Sequence, residues 1–125
     1  MSDHPIQPTK RSILVVDDEP TVLRMIEIVL NHAGYEVKCV SDAYECLDCF
    51  HERHWDMVLT DRSMPRLDGE DLAAQMRAHR PDVPILLLTG AELDLRNPEA
   101  FNAILIKPFS VLQFLDALSR VLPAS

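Results

Sequence analysis

The sequence predicts a doubly wound α/β fold, in which a parallel five-stranded sheet has helices on both faces. Five short runs rich in Val, Ile and Leu alternate with segments that repeat apolar residues at helical spacing. Apolar runs this short are typical of strands that are buried on both sides. Their alternation with helices indicates right-handed βαβ units, and a length of 125 residues fits one such domain.

The strands and helices can be taken in order along the chain. Residues 1–11 are polar and contain two prolines, so we expect a flexible leader followed by one domain over residues 12–125. The predicted strands are Ser12–Val16, Val37–Val40, the run that ends at Asp61, Ile85–Leu88 and Ala103–Ile106. The predicted helices run from Pro20 to the stop at Gly34, from a cap at Ser41 or Asp42, from Gly69 to about His79, and from a cap at Ser110 to Leu122.

Composition narrows the classes of function that the chain can have. A net charge of -8 argues against direct contact with nucleic acid, because phosphate backbones are bound by clusters of Lys and Arg. No apolar run approaches the roughly 20 residues needed to span a bilayer, and the N-terminus lacks the apolar core of a secretory signal. We therefore expect a cytoplasmic protein without membrane contact.

Cys46 and Cys49 form a CxxC pattern that raises the question of a zinc or redox site. Ala43, Cys46, Leu47 and Phe50 recur at helical spacing, however, which makes Cys46 a small apolar residue on a buried helix face. A redox CxxC would begin a helix directly after a strand. The three cysteines are also too few for a disulfide framework, which favours a reducing compartment.

Polar residues stand at the ends of four predicted strands. They are Asp17 and Asp18, then Asp61, Thr89 and Lys107. Because the carboxyl ends of parallel strands meet at one edge of a sheet, we expect these side chains to converge there. In the flavodoxin-like strand order 2-1-3-4-5, Asp18 neighbours Asp61, and Lys107 must reach across roughly 10 Å.

Three carboxylates at one edge repel one another unless they share a cation. Oxygen ligands that leave room for water and phosphate suit Mg²⁺, with Mn²⁺ as a second candidate. The chain has no glycine-rich phosphate loop, so nucleotide binding is not expected and a phosphate must arrive attached to another molecule.

The chain resembles the receiver domains of two-component response regulators, the CheY-like family. The resemblance extends from Ser12 to Leu122 and is carried by four blocks in order, namely ILVVDDE at 13–19, LTDRSMPRLDG at 59–69, LLTG at 87–90 and IKPF at 106–109. No single block is diagnostic, whereas four together are specific.

The resemblance implies that Asp61 accepts a phosphoryl group from a phosphohistidine on a histidine kinase or a histidine phosphotransfer protein. It also implies Mg²⁺ held by Asp18, Asp61 and the Ser63 carbonyl, and by Asp17 through water. Thr89 and Lys107 would bind the phosphoryl oxygens, with Gly90 and Pro108 structural at the site and a cis Lys107-Pro108 bond. An output domain or effector protein, and a homodimer, are left open.

The chain departs from the family pattern in two places, which bear on its output. Where the family usually has Tyr or Phe, three positions before Lys107, the residue is Ile104, and the span from Thr89 to Lys107 is about four residues short, roughly one helical turn. We expect intact phosphorylation chemistry with an unusual output geometry. Ser63 and Ala91, two residues after Asp61 and Thr89, also predict little side-chain help to hydrolysis of the phosphoryl group.

Three other classes of function are alternatives to a phosphoacceptor. A Mg²⁺-dependent aspartyl-phosphate phosphatase would usually carry a second aspartate where Ser63 stands, and a flavin carrier would need a phosphate loop. A degenerate receiver that serves only for docking is disfavoured by the intact Asp18, Asp61, Thr89 and Lys107. The leading interpretation is a signalling phosphoacceptor domain, which assists its own phosphorylation and dephosphorylation and is not an enzyme.

Overall fold

A computed structural model describes residues 10–91 and 94–122 of the chain. Most of the leader predicted at residues 1–11 lies outside these ranges, so both the leader and the domain boundary stay predictions. Within them, every helix and strand expected from the sequence is present, with bounds that differ by a few residues at most.

The sheet has five parallel strands in the order β2-β1-β3-β4-β5, which confirms the predicted topology. The strands are β1 (Ser12–Val16), β2 (Glu36–Val40), β3 (Met57–Asp61), β4 (Ile85–Thr89) and β5 (Ala103–Ile106). The helices are α1 (Pro20–His32), α2 (Ala43–Glu52), α3 (Gly69–His79) and α4 (Val111–Val121). All residues of β1, β3 and β4 are buried, whereas the edge strands β2 and β5 are partly exposed.

The core consists of two apolar clusters, one on each face of the sheet. On one face, alternate strand residues such as Leu14 and Val58 pack against α2 and α3. On the other face, Ile13 and Met57 belong to the cluster that includes α1 and α4. Successive strand residues point to opposite faces, so each continuous apolar run supplies both clusters.

Local signals in the sequence define most helix ends. The side chains of Asp42 and Asp68 accept hydrogen bonds from the first turns of α2 and α3, and Ser110 forms a capping box with Gln113 at α4. Gly34 follows α1 with a φ of 95°, a left-handed conformation that favours glycine. Cys46 is fully buried in the core on α2, as its helical spacing predicted.

The connection between β4 and β5 contains no α-helix over its described part, residues 94–102. It has a single 3-10 turn, Pro98–Ala100, that follows the Asn97-Pro98 pair. In the residues that the structure describes, the short span between Thr89 and Lys107 therefore carries no more than this turn. Ile104, in β5, is half-buried and packs against the cluster on the α2 and α3 face.

In the described ranges, none of the helices combines the length and the apolar character that crossing a membrane would require.

Candidate functional site

The ends of β1, β3 and β5 bring three charged residues together. Asp17 follows the last residue of β1, Asp61 ends β3, and Lys107 follows β5. The Asp17 and Asp61 side chains are 0% and 5% exposed, and that of Lys107 is 18% exposed. The convergence that the strand pattern predicted for these three residues is therefore present in the structure.

The Lys107 ammonium group lies among three carboxylates. Its Nζ is 3.1 Å from Asp17 Oδ2, 3.2 Å from Asp61 Oδ1 and 2.9 Å from Glu19 Oε1. Carboxylate oxygens of the same three acids lie within 4.8 Å of one another, in the one such group found among the residues that the structure describes. The long lysine side chain thus bridges from β5 past β4 to the aspartates, as its length allows.

Glu19 is the site residue that sequence reasoning missed. The sequence shows it only as the last acid of the ILVVDDE block, but its side chain makes no cap hydrogen bond at the start of α1 and contacts Lys107 instead. Its backbone N–H also donates to Asp17 Oδ1 at 2.8 Å, which fixes the second oxygen of that buried carboxylate. Helical periodicity says nothing about where a residue before the first turn directs its side chain, so the sequence held no signal for this contact.

Burial and mutual repulsion shape the ionisation of the site. Burial, followed by the charge of Asp17, raises the pKa of Asp61 to about 6, although Lys107 and the Ser63 backbone act in the opposite direction. Burial also raises the pKa of Asp17. Burial alone would lower the pKa of Lys107, but its bonds to Glu19 and Asp17 and the charges around it raise that pKa overall. The pocket therefore favours a cation beside its carboxylates.

Asp18 and Ser63 lie beside this cluster and not within it. Asp18 is exposed and is not one of the three acids that share Lys107, and both residues line an adjacent open cleft of about 700 Å³. The cleft is lined further by the loop after β3 and by acids and arginines, namely Arg62, Met64, Pro65, Asp68, Glu70, Asp94 and Arg96.

Thr89 is buried at the end of β4, where its hydroxyl group bonds to the backbone of Ala91. Oγ1 donates to the Ala91 carbonyl at 2.7 Å and accepts from the Ala91 N–H at 3.2 Å. The Lys107-Pro108 bond is cis. A Cβ atom at Gly90 would meet nothing within 4 Å, so the structure gives no steric reason for glycine there.

Gly69, which the sequence predicts only as the start of a helix, has a clear steric role in the structure. A Cβ atom at this position would collide with the Asp61 carbonyl oxygen and lie 2.9 Å from Arg62 Cα. The Gly69 N–H also donates to the Arg62 carbonyl at 2.8 Å. The start of α3 therefore packs directly on the backbone of Asp61, and only glycine permits that approach.

An ion-pair network, also missed, ties the β4–β5 connection to α3 and to the residue after Asp61. The Arg62 guanidinium donates to Asp94 Oδ1 at 2.7 Å and to the Ala91 carbonyl at 2.9 Å. Arg96 donates to both carboxylate oxygens of Asp68 at 3.0 Å, and its backbone N–H donates to Glu70 at 2.7 Å. Buried Glu70 is the centre of this network.

Fold and site together define a class, namely open parallel α/β domains with an acidic, lysine-containing pocket at the carboxyl edge of the sheet. The sequence pattern of the response regulator receiver domain family matches residues 13–119. The chain belongs to the response regulator receiver domain family, as its sequence motifs predicted.

Named relatives and solved structures agree with this assignment. The response regulator MprA of Mycobacterium sp. (strain KMS) is 34% identical over 114 residues, which cover 88% of this chain and 50% of MprA. The chemotaxis protein CheY4 of Vibrio cholerae has a TM-score of 0.85 at 28% identity, over 91% of this chain and 100% of that one. The response regulator TrrA of Thermotoga maritima, in complex with Mg²⁺ and BeF, has a TM-score of 0.82 at 30% identity, over 90% and 99% of the two chains.

The chain spans between 32% and 50% of the length of the first curated relatives that it matches.

Proposed function

We propose that Asp61 is the phosphoacceptor of this receiver domain and takes a phosphoryl group from a phosphohistidine on a histidine kinase or a histidine phosphotransfer protein. The observation that carries the proposal is the buried Asp61 carboxylate, 3.2 Å from the Lys107 ammonium and beside buried Asp17. Two buried acids next to one lysine are costly unless they serve a ligand, and an anionic phosphoryl group with a divalent cation would use all three.

The donor atoms of the pocket fit a magnesium ion. The carboxylates of Asp17 and Asp61 offer oxygen atoms within 4.8 Å of each other, and hard divalent cations prefer oxygen. We infer that Asp17 and Asp61 would hold Mg²⁺, or Mn²⁺, together with Asp18 and the Ser63 carbonyl that family resemblance adds. When bound, the cation would neutralise part of the charge that gathers on the phosphoryl oxygens.

The residues of the chain have distinct tasks in the transfer. A carboxylate oxygen of Asp61 forms a bond to phosphorus while the bond from phosphorus to the donor nitrogen breaks, and the electron pair of that bond leaves with the imidazole. The Lys107 ammonium group offers a positive charge to the transferred group. Thr89 can donate to a phosphoryl oxygen only after its hydroxyl proton turns away from the Ala91 carbonyl, so the orientation of the hydroxyl group would differ between the two states.

The proposal describes a signalling module in the cytoplasm and not an enzyme with many turnovers. No observation on the structure favours the phosphatase alternative, since Ser63 stands where a general acid would be needed. An output domain is compatible with relatives that are longer than this chain, and a separate effector protein and a homodimer stay open.

Intact mass spectrometry after incubation with acetyl phosphate and Mg²⁺ tests the proposal. We expect the wild-type chain to gain the mass of one phosphoryl group, and we expect no gain with Asp61→Asn or when a chelator replaces Mg²⁺. Asp116→Asn, a change on the exposed face of α4, is the matched control and should behave as the wild type. A phosphoryl adduct on Asp61→Asn that equals the wild-type adduct would refute the proposal.

A further inference from the structure

The Lys107 ammonium group has no donor left for a newly arriving phosphoryl group. An ammonium group carries three N–H donors, and Asp17, Glu19 and Asp61 each lie within hydrogen-bond distance of Nζ. A phosphoryl group on Asp61 takes over only the N–H that now bonds to Asp61 Oδ1, and a second N–H of Lys107 can reach its oxygens only if Asp17 or Glu19 releases one.

Of the three carboxylates, Glu19 is the one that can leave at small cost. The Asp17 side chain is 0% exposed and its other oxygen is bound by the Glu19 N–H, so it has no access to water. The N–H that bonds to Asp61 passes to the phosphoryl group that Asp61 carries, so a further release must come from Asp17 or Glu19. The Glu19 side chain is 55% exposed and can return to solvent, and no cap hydrogen bond at the start of α1 depends on it.

We propose that Glu19 is a positioning residue, which holds the Lys107 ammonium in the unphosphorylated chain and competes with the phosphoryl group for it. This inference rests on the proposed phosphoacceptor function of Asp61. It predicts that Glu19 restrains phosphorylation, because Lys107 can direct a second N–H to the phosphoryl oxygens only when its contact with Glu19 breaks, as the Asp61–phosphorus bond forms and the bond to the leaving group breaks. Removing the contact should therefore speed phosphoryl uptake.

Two substitutions separate this role from a simple charge effect. Glu19→Gln removes the carboxylate charge, whereas Glu19→Asp keeps the charge on a side chain one methylene shorter, which cannot span the present 2.9 Å contact. If the Lys107 contact matters, both variants lose it. If only repulsion of the anionic donor matters, Glu19→Asp should behave as the wild type. Glu27→Gln, an exposed acid on α1 that pairs with Arg24, is the matched control.

The experiment measures the rate of phosphorylation by acetyl phosphate at saturating Mg²⁺, from a time course of intact masses, and the Mg²⁺ dissociation constant by calorimetry without the donor. We expect both Glu19 variants to react about two- to fivefold faster than the wild type, the factor that a half-exposed ion pair is worth. Glu27→Gln should match the wild type. The Mg²⁺ dissociation constant of both Glu19 variants should rise by less than about tenfold. Loss of a group that supports a bound metal ion typically raises the dissociation constant by about tenfold or more.

Several outcomes would overturn the inference. Rates of both Glu19 variants at or below the wild-type rate would remove it, and acceleration by Glu19→Gln alone would assign the effect to charge. A rise of about tenfold or more in the Mg²⁺ dissociation constant for both variants would make Glu19 part of the metal site instead. A wild-type chain that takes up no phosphoryl group would refute the proposed function and the inference with it, whereas equal rates in reactive chains would refute the inference alone.

Discussion

Asp61 lies in an environment that opposes its own ionisation. Its side chain is 5% exposed, and Asp17 lies close by with a second negative charge. Lys107 offsets part of this penalty, but burial still raises the pKa of Asp61 to about 6. A charge held at such cost is typical of a site that binds a cation or an anionic group, and less typical of one that stabilises the fold.

We expect the metal-free chain to lose stability as the pH rises through the pKa of Asp61. The pKa in the folded state is raised from an ordinary value of 3.8 to about 6, so folding favours the protonated acid and its contribution is full below the unfolded value. Between pH ~4 and ~6 the free energy of unfolding should fall, by on the order of 2 kcal/mol. Asp61→Asn should be the more stable chain at neutral pH.

Urea denaturation in the presence of a chelator, at several pH values, measures this difference. Asp17, whose pKa is also raised by burial, remains in the variant, so the pH dependence should weaken and not vanish. Asp116→Asn, whose side chain is 68% exposed in the wild type, serves as the control and should follow the wild-type curve. Parallel curves for Asp61→Asn and the wild type would show that ionised Asp61 carries no net penalty.

Sequence patterns predicted the residues at strand ends better than the residues that act from other places. Asp17, Asp61 and Lys107 stand at the ends of strands in the sequence. The parallel arrangement of those strands is enough to bring them to one edge of the sheet. Glu19 precedes a helix, and its contact with Lys107 joins residues 88 positions apart. Neither periodicity nor capping rules specify such a side-chain direction, and the same limit applies to Asp18, which lies beside the cluster.

At the scale of single elements, the start of α3 is set by a close approach to the strand that carries Asp61. We expect Gly69→Ala to destabilise the fold by about 1–3 kcal/mol, because the added methyl group has no space against the Asp61 carbonyl and Arg62 Cα. The same displacement should slow phosphorylation, since the Asp61 backbone must move to make room.

Chemical denaturation and the phosphorylation time course together measure both effects. Gly90→Ala is the matched control for stability, because a Cβ atom there meets nothing within 4 Å and the change should cost far less. Equal stability of Gly69→Ala and the wild type would mean that α3 can shift without strain, and that the contact does not fix Asp61.

Ion pairs hold the described part of the β4–β5 connection in place. Arg96 pairs with Asp68, Glu70 and Asp71, and Arg62 pairs with Asp94. These partners are 25 to 32 positions apart in the chain, so no local pattern could reveal them. The sequence indicated only that the connection is about four residues short, roughly one helical turn, and the network explains what secures the segment.

The topology of the sheet was predictable because it follows from rules that hold for parallel α/β folds in general. Short apolar runs buried on both sides require a covered parallel sheet, and right-handed crossovers leave few strand orders. The observed order β2-β1-β3-β4-β5 places the ends of β1 and β3 side by side, which is where Asp17 and Asp61 meet. The expectation of an unusual output geometry, based on Ile104 and the short β4–β5 connection, stays a prediction.

Locating the phosphoryl group on the chain tests directly whether Asp61 is the phosphoacceptor. After reaction with acetyl phosphate and Mg²⁺, borohydride converts an aspartyl phosphate side chain into homoserine, and peptide sequencing by mass spectrometry identifies the residue changed. We predict homoserine at position 61 alone, and none in a reaction without Mg²⁺. Modification at Asp17, Asp18 or an acid outside the pocket, with Asp61 intact, would show that Asp61 is not the phosphoacceptor.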